Sequence, residues 1–427
     1  MADSNSFITA SWVAKKGLTI LHDKAKAAVR CNRNYEGLFG KPLAGVPIGT
    51  TIQARLPFKY TLRTGAYMSA NPLVQRTASL TLNNQNGVDL DLTSVERQMD
   101  IGDFSEQILQ PAMAQISGGI EQNICALVTQ VPTAVGLSST TVSFNNIVQA
   151  RQYLTQMLVP DDGDFRSLLV SPIHNYDWVT SNAALYNPQE YISDQWIEGI
   201  IATRVANFLA FEEVKLAGYT TGTFGTSTPV VKTGTAPGNS GVANAYASTM
   251  TLSSTGWASG ASTLNAGDNL TISGVYEVDP ETKQSLGRLK QFVVTAKISD
   301  TSGEIDAVVS PCAIFTGAYQ NCATSTGAQI ATTGTPIAGA TITMYSASAS
   351  TYQQSLAFGR DGILFANVPM MDVSEIVKFC AEESFDGFYL RVIQGYDINS
   401  DVLKTRFDNL SGEVLAYQEM CIRVIGT

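Results

Sequence analysis

Two histidines, His22 and His174, and six cysteines, at positions 31, 125, 312, 322, 380 and 421, are all the imidazoles and thiols in this 427-residue chain. A histidine-based triad or a zinc site needs several such groups converging. The cysteines show no C-x-x-C and no histidine at zinc spacing, so they read as buried reduced thiols, including Cys312 and Cys322, which lie close in sequence. Both histidines read as structural residues. Asp397, Asn399 and Asp401 imitate the opening of a calcium loop, but Val402 stands where the loop needs glycine and Asp408 where it needs a bidentate Glu. Asp161, Asp162 and Asp164 would hold a cation only weakly, and a DDGD turn is the simpler meaning. The chain contains no H-E-x-x-H, no G-x-S-x-G, no P-loop and no G-x-G-x-x-G after a strand. The expectation is a protein that is not an enzyme, with no catalytic residue, no cofactor and no metal.

Without a reaction to position, the elements must serve another purpose, and charge suggests which. Only 15% of residues are charged, well below the usual quarter, which suits extensive burial between subunits. Residues 1 to 88 carry 11 Lys and Arg against 3 acids, whereas the remainder carries 16 against 34. Opposite-signed halves favour self-association over nucleic-acid binding, because the basic residues are dispersed and the acidic remainder repels a polyanion. No apolar run reaches 18 residues and the first residues form no signal-like apolar core, so neither a membrane span nor secretion is expected.

The chain exceeds the size of a single core, so two or more domains are expected. Its longest periodic stretch, 103 to 130, repeats apolar residues at Phe104, Ile108, Ala112, Ile116, Ile120 and Ile124. That spacing predicts a long spine helix, started by a D-x-x-E cap at Asp103 and bent at Pro111 or Gly118-Gly119. Residues 7 to 39 read as a basic amphipathic arm of one or two helices. From 37 to 88 there is no acid at all, and the pattern is a strand broken at Pro57, a loop, and a returning strand that ends at an Asn86-Gly87 turn. A strand through Val88, Leu90 and Leu92 leads into the spine. Ser143 starts a second helix, with Ile147, Val148, Leu154, Met157 and Leu158 facing inward, and RSLLVSP is a buried strand. At Gly218 the composition changes: 218 to 267 carries one charge, Lys232, and short strand candidates recur to about 350. An all-β insertion inside a discontinuous α+β body is the inferred organisation, closed by a long strand over 413 to 425.

This order resembles the major capsid proteins of tailed bacteriophages, and more narrowly the coat proteins of short-tailed enterobacterial phages, in which a β-barrel domain is inserted. The phrases that carry the likeness are RSLLVSPIHNYDWV, EGIIATRVANFLAFEEV, GDNLTISGVYEV and QSLAFGRDGILFANVPM. The resemblance implies an α+β tailed-phage capsid fold. Its parts would be an N-terminal arm (1–45), an E-loop hairpin (46–87), a peripheral strand and spine helix (88–131), apical segments (132–218 and 351–395), an all-β insertion (219–350) and a C-terminal peripheral strand (396–427). It also implies pentamers and hexamers of an icosahedral shell enclosing double-stranded DNA, a scaffolding protein, a portal, and a precursor shell that expands after assembly in the host bacterial cytoplasm. The family's protruding insertion loop makes charged contacts between capsomers, yet the candidate here, TGTAPGNSGVANAY (233–246), has no charge.

The acid-free hairpin is the expected subunit contact. Its cationic candidates are Arg55, Lys59, Arg63 and Arg76, and its apolar candidates are Leu56, Phe58, Tyr60 and Leu62. The alternative function is a β-rich glycan-binding protein of a virion or cell surface, with exposed Trp257, Tyr246 and Tyr276 as its platform.

Overall fold

The computed structural model describes residues 10–39, 50–63, 65–68, 73–93, 104–181, 204–225, 228–232, 246–324, 339–370, 379–397 and 402–427. The chain forms two compact units. One comprises 1–54, 78–125 and 363–414, and the other 55–77, 126–362 and 415–427.

In the first unit, Ala10–Lys24 and Lys26–Arg30 are the two helices of the arm. The shorter one begins at Ala25, which has no side chain to cap it. The buried Glu121 of the spine does this instead, accepting the N–H groups of Ala27 at 3.0 Å and Ala28 at 3.2 Å, where the helix dipole favours a carboxylate. The spine itself is a π turn, Phe104–Leu109, then α-helix Gln110–Ala126. Pro111 lies inside this continuous helical run, where it has no N–H to give to the preceding turn, and the π turn ends immediately before it at Leu109. The expected cap at Asp103 lies outside the described residues.

A five-stranded sheet completes this unit, in the order Ile363–Val368, Val402–Leu415, Phe388–Asp397, Phe379–Phe385, with Asn84–Thr93 also paired to Val402–Leu415. Gly17 is the point of close approach: a Cβ there would stand 3.0 Å from Leu390 and 3.1 Å from the Met113 sulfur. The Asn86-Gly87 turn expected from the sequence is not a turn. Both residues run inside strand Asn84–Thr93, and Gly87 is opposite Asp408, where a Cβ would meet the Phe407 carbonyl at 2.8 Å. The glycine serves a crowded ladder, which a sequence cannot distinguish from a turn.

In the second unit a seven-stranded mixed sheet runs Ala134–Val135, Cys421–Gly426, Thr351–Gly359, Arg166–Val170, Phe208–Glu212, Arg204–Val205, with Tyr219–Thr220 paired to the start of Thr351–Gly359. The RSLLV strand is buried along its whole length, as expected for a central strand. Helix Phe144–Gln156 covers the sheet with Ile147, Ala150 and Leu154. Ser143 starts it, bonded through its N–H and hydroxyl to the Asn146 side chain at 2.9 and 2.8 Å. Val148 and Leu158, expected to face inward, are exposed. Leu158 already lies past the helix, at φ 60°.

The segment 219–350 is all-β among the described residues, with a seven-stranded sheet and a two-stranded ribbon, Thr263–Leu264 with Ile298–Ser299. Its core includes Leu252, Trp257, Leu270, Phe292, Val309 and Phe315, and its register slips between Thr271 and Tyr276, where Gly274 takes φ 80°. Trp257 is 5% exposed and donates its indole N–H to Ser254 Oγ at 2.8 Å, so it is a core residue and no glycan platform. The closing strand also differs from expectation. Strand Val402–Leu415 belongs to the first unit's sheet, the short 3-10 turn Gln418–Met420 ends it, and Cys421–Gly426 pairs with Thr351–Gly359 in the second unit.

Candidate assembly interface

Strands Thr51–Leu56 and Arg76–Thr81 form a two-stranded sheet, with the Thr51 and Thr81 hydroxyls 2.9 Å apart and Gln53 donating to Ser79 Oγ at 2.7 Å. Ile52, Ala54 and Leu56 alternate inward, which explains the burial of Leu56 and the exposure of Arg55. Pro57 has no N–H for a ladder and the strand stops before it. Beyond it the chain carries apolar side chains into solvent: Phe58, Tyr60, Leu62 at 92%, Tyr67 at 93%, Met68 and Leu73. Large apolar groups exposed together on one short segment make it the candidate for an association surface.

The root of this arm is fixed. Lys59 on the outgoing limb and Arg76 on the returning limb both reach Glu419 Oε1, at 3.3 and 3.4 Å. Arg76 is 5% exposed and its guanidinium lies over the rings of Tyr246, Tyr417 and Tyr319, at 5.3, 5.4 and 5.8 Å. Tyr319 donates its hydroxyl to the Val74 carbonyl at 2.5 Å, and the Gln75 amide to the Leu56 carbonyl at 3.1 Å. Burial raises the Glu419 carboxyl, but Lys59, Arg76 and Lys290 outweigh it and bring it down to about 2. Burial, then the charge of Lys59, lowers the Lys283 ammonium beside this cluster to about 8.

Of the eight candidates, Arg55, Phe58, Tyr60, Leu62 and Arg63 are exposed, and Lys59 is half-buried. Leu56 and Arg76 are buried within the chain. The Arg63 guanidinium folds back onto the carbonyls of Gly65 and Tyr67. Sequence reasoning missed Tyr67, Met68 and Leu73, although apolar residues in an AYMSANP loop were a usable signal. It also missed Glu419, which sits 343 residues from Arg76 and has no local signature.

Both histidines and two aspartates of the DDGD turn have partners within the chain. His174 is buried with Ser355 Oγ 2.7 Å from its Nδ1, and burial lowers it to about 4 despite the opposing Gly426 backbone. His22 meets Asp386 at 2.9 Å. Asp161 pairs with Arg166 and Arg151, and Asp164 with Arg204, so arginines hold the DDGD turn. Asn399 and Asp401, like most of the insertion loop 233–246, lie outside the described residues. Five of the six cysteines are buried, and the described residues contain no cluster that could hold a metal. No described helix is long and apolar enough to cross a membrane.

Similarity to solved structures runs along nearly the whole chain at low identity. A protein of Mycobacterium phage Che8 is 10% identical with TM-score 0.45, covering 92% of this chain and 89% of that one. The capsid of cyanophage P-SCSP1u gives 12% and 0.44, covering 93% and 95%. The capsid of Ralstonia phage GP4 gives 8% and 0.44, covering 88% and 83%. No curated protein matches. The family profile described as "P22 coat protein - gene protein 5" matches residues 66–426, through the returning limb of the arm, the spine, the insertion and the closing strand. The chain therefore belongs to the P22 coat protein family and is a structural coat protein of a bacteriophage capsid.

Proposed function

We propose that this coat protein builds the pentamers and hexamers of an icosahedral shell around double-stranded DNA, without sequence-specific binding, and that the arm over 57–75 joins each subunit to a neighbouring copy. A scaffolding protein, a portal, a precursor shell that expands and assembly in the host cytoplasm belong to the same reading, as do the arm, E-loop, peripheral, apical and insertion divisions. The observation that carries it is the apolar tip, with Tyr60, Leu62, Tyr67, Met68 and Leu73 all exposed. With Lys59 and Arg76 occupied by Glu419, apolar contact is the main attachment and Arg55 and Arg63 contribute at its rim. Burying one such side chain on a neighbour gains about 1.5 to 3 kcal/mol, whereas an exposed ion pair gains about 0 to 1.

Expression of the full chain, alone and with scaffolding protein, followed by negative-stain microscopy, tests the reading. Closed shells are expected. Monodisperse monomers under every condition would refute it.

A further inference from the structure

We propose that Glu419 is the positioning residue of the assembly arm, presenting the apolar tip in its docking geometry before a neighbour arrives. This rests on the reading of 57–75 as the arm that joins subunits. From 37 to 88 the chain has no acid, so a carboxylate that pairs with the limbs must come from elsewhere. Glu419 supplies it to both limbs through one oxygen, at Lys59 and at Arg76.

Its platform is rigid. The N–H groups of Ala416 and Tyr417 bond the Gly362 carbonyl at 2.9 and 3.1 Å, and the Gln418 amide donates to Ser310 Oγ at 2.8 Å. Tyr417 from the same turn stacks on Arg76. The carboxylate is therefore fixed to strand Cys421–Gly426 on one side and to the insertion on the other, and the arm is fixed to it. An arm ordered in advance loses less conformational entropy when it docks, which is how pre-organisation raises association strength.

The test compares full-length wild type with Glu419→Gln, which keeps shape and removes charge, and with Lys59→Met, which frees one limb and leaves Arg76 paired. Amide hydrogen exchange is read in unassembled subunits, and shell formation by light scattering. Exchange over 58–63 and 73–75 should rise by about tenfold in Glu419→Gln and less in Lys59→Met, while Thr351–Gly359 stays unchanged. Shell formation should slow in the same order. Unchanged exchange in the arm, exchange rising equally across the whole unit, or a loosened arm with normal assembly each overturns the proposal. Leu62→Asp separates the two ideas. If Leu62→Asp assembles normally, the arm reading itself fails, and if it blocks assembly while Glu419→Gln does not, only the role of Glu419 fails.

Discussion

His174 and Arg423 show what burial does to a polar side chain, and each gives a measurable consequence. Unfolded, His174 titrates near 6.5; folded, burial holds it near 4. Between those values the unfolded chain takes a proton that the folded chain refuses. Stability therefore falls as pH drops from 6.5 towards 4 and loses nothing more below, by at most about 3 kcal/mol. Denaturant midpoints across that window should show the slope, and His174→Gln should flatten it. The depressed Glu419 carboxyl acts lower: its contribution is present above 4.5 and disappears as pH falls towards 2. Arg423 is fully buried and bonds Gln354 at 3.1 Å, the Gly267 carbonyl at 2.9 Å and the Asn269 side chain. It links the closing strand to the insertion beside Tyr219. Arg423→Met leaves those acceptors unpaired and should cost about 2 to 4 kcal/mol, read from urea unfolding of the full chain. His174 was legible in the sequence as structural, but nothing there pointed to its partner or to Arg423, whose partners lie 69 to 156 residues away.

The spine, the arm helices and the hairpin limbs were legible as elements, because periodicity and Pro57 act locally. The Asn86-Gly87 misreading shows the limit: a glycine that admits a neighbouring carbonyl looks the same as one that turns the chain. Gly87→Val should crowd the Phe407 carbonyl and destabilise by about 1 to 3 kcal/mol, with a lower thermal midpoint as the readout. The expected insertion belongs to the same compact unit as its flanks, 126–362, but its core cluster draws its buried members from within 219–350. Its entry strand Tyr219–Thr220 lies beside its exit strand at Thr351, so both ends of the segment leave together. An isolated 219–350 fragment should give dispersed amide NMR signals and a cooperative melt. Random-coil shifts would show that it needs the body to fold.

For the assembled particle, the apolar tip and the rim charges predict different behaviour. Leu62→Asp with Tyr67→Asp should leave circular dichroism unchanged and abolish shells at every salt concentration. Arg55→Glu with Arg63→Glu should weaken assembly mainly at low salt, where charge is least screened. The sequence by itself determined that the chain carries none of the four catalytic and nucleotide-binding motifs sought, that its composition switches at Gly218, and that the cations of an acid-free segment must find carboxylates elsewhere. Those properties are counts and spacings, carried by residue types alone. Only the tertiary structure decided that Lys59 and Arg76 are held by Glu419, that Trp257 is core, and that the end of the chain divides between two sheets. The physical reason is range: periodicity acts over a few residues, whereas ion pairs and strand pairing join positions hundreds of residues apart, and no local pattern records which distant side chain lies within reach.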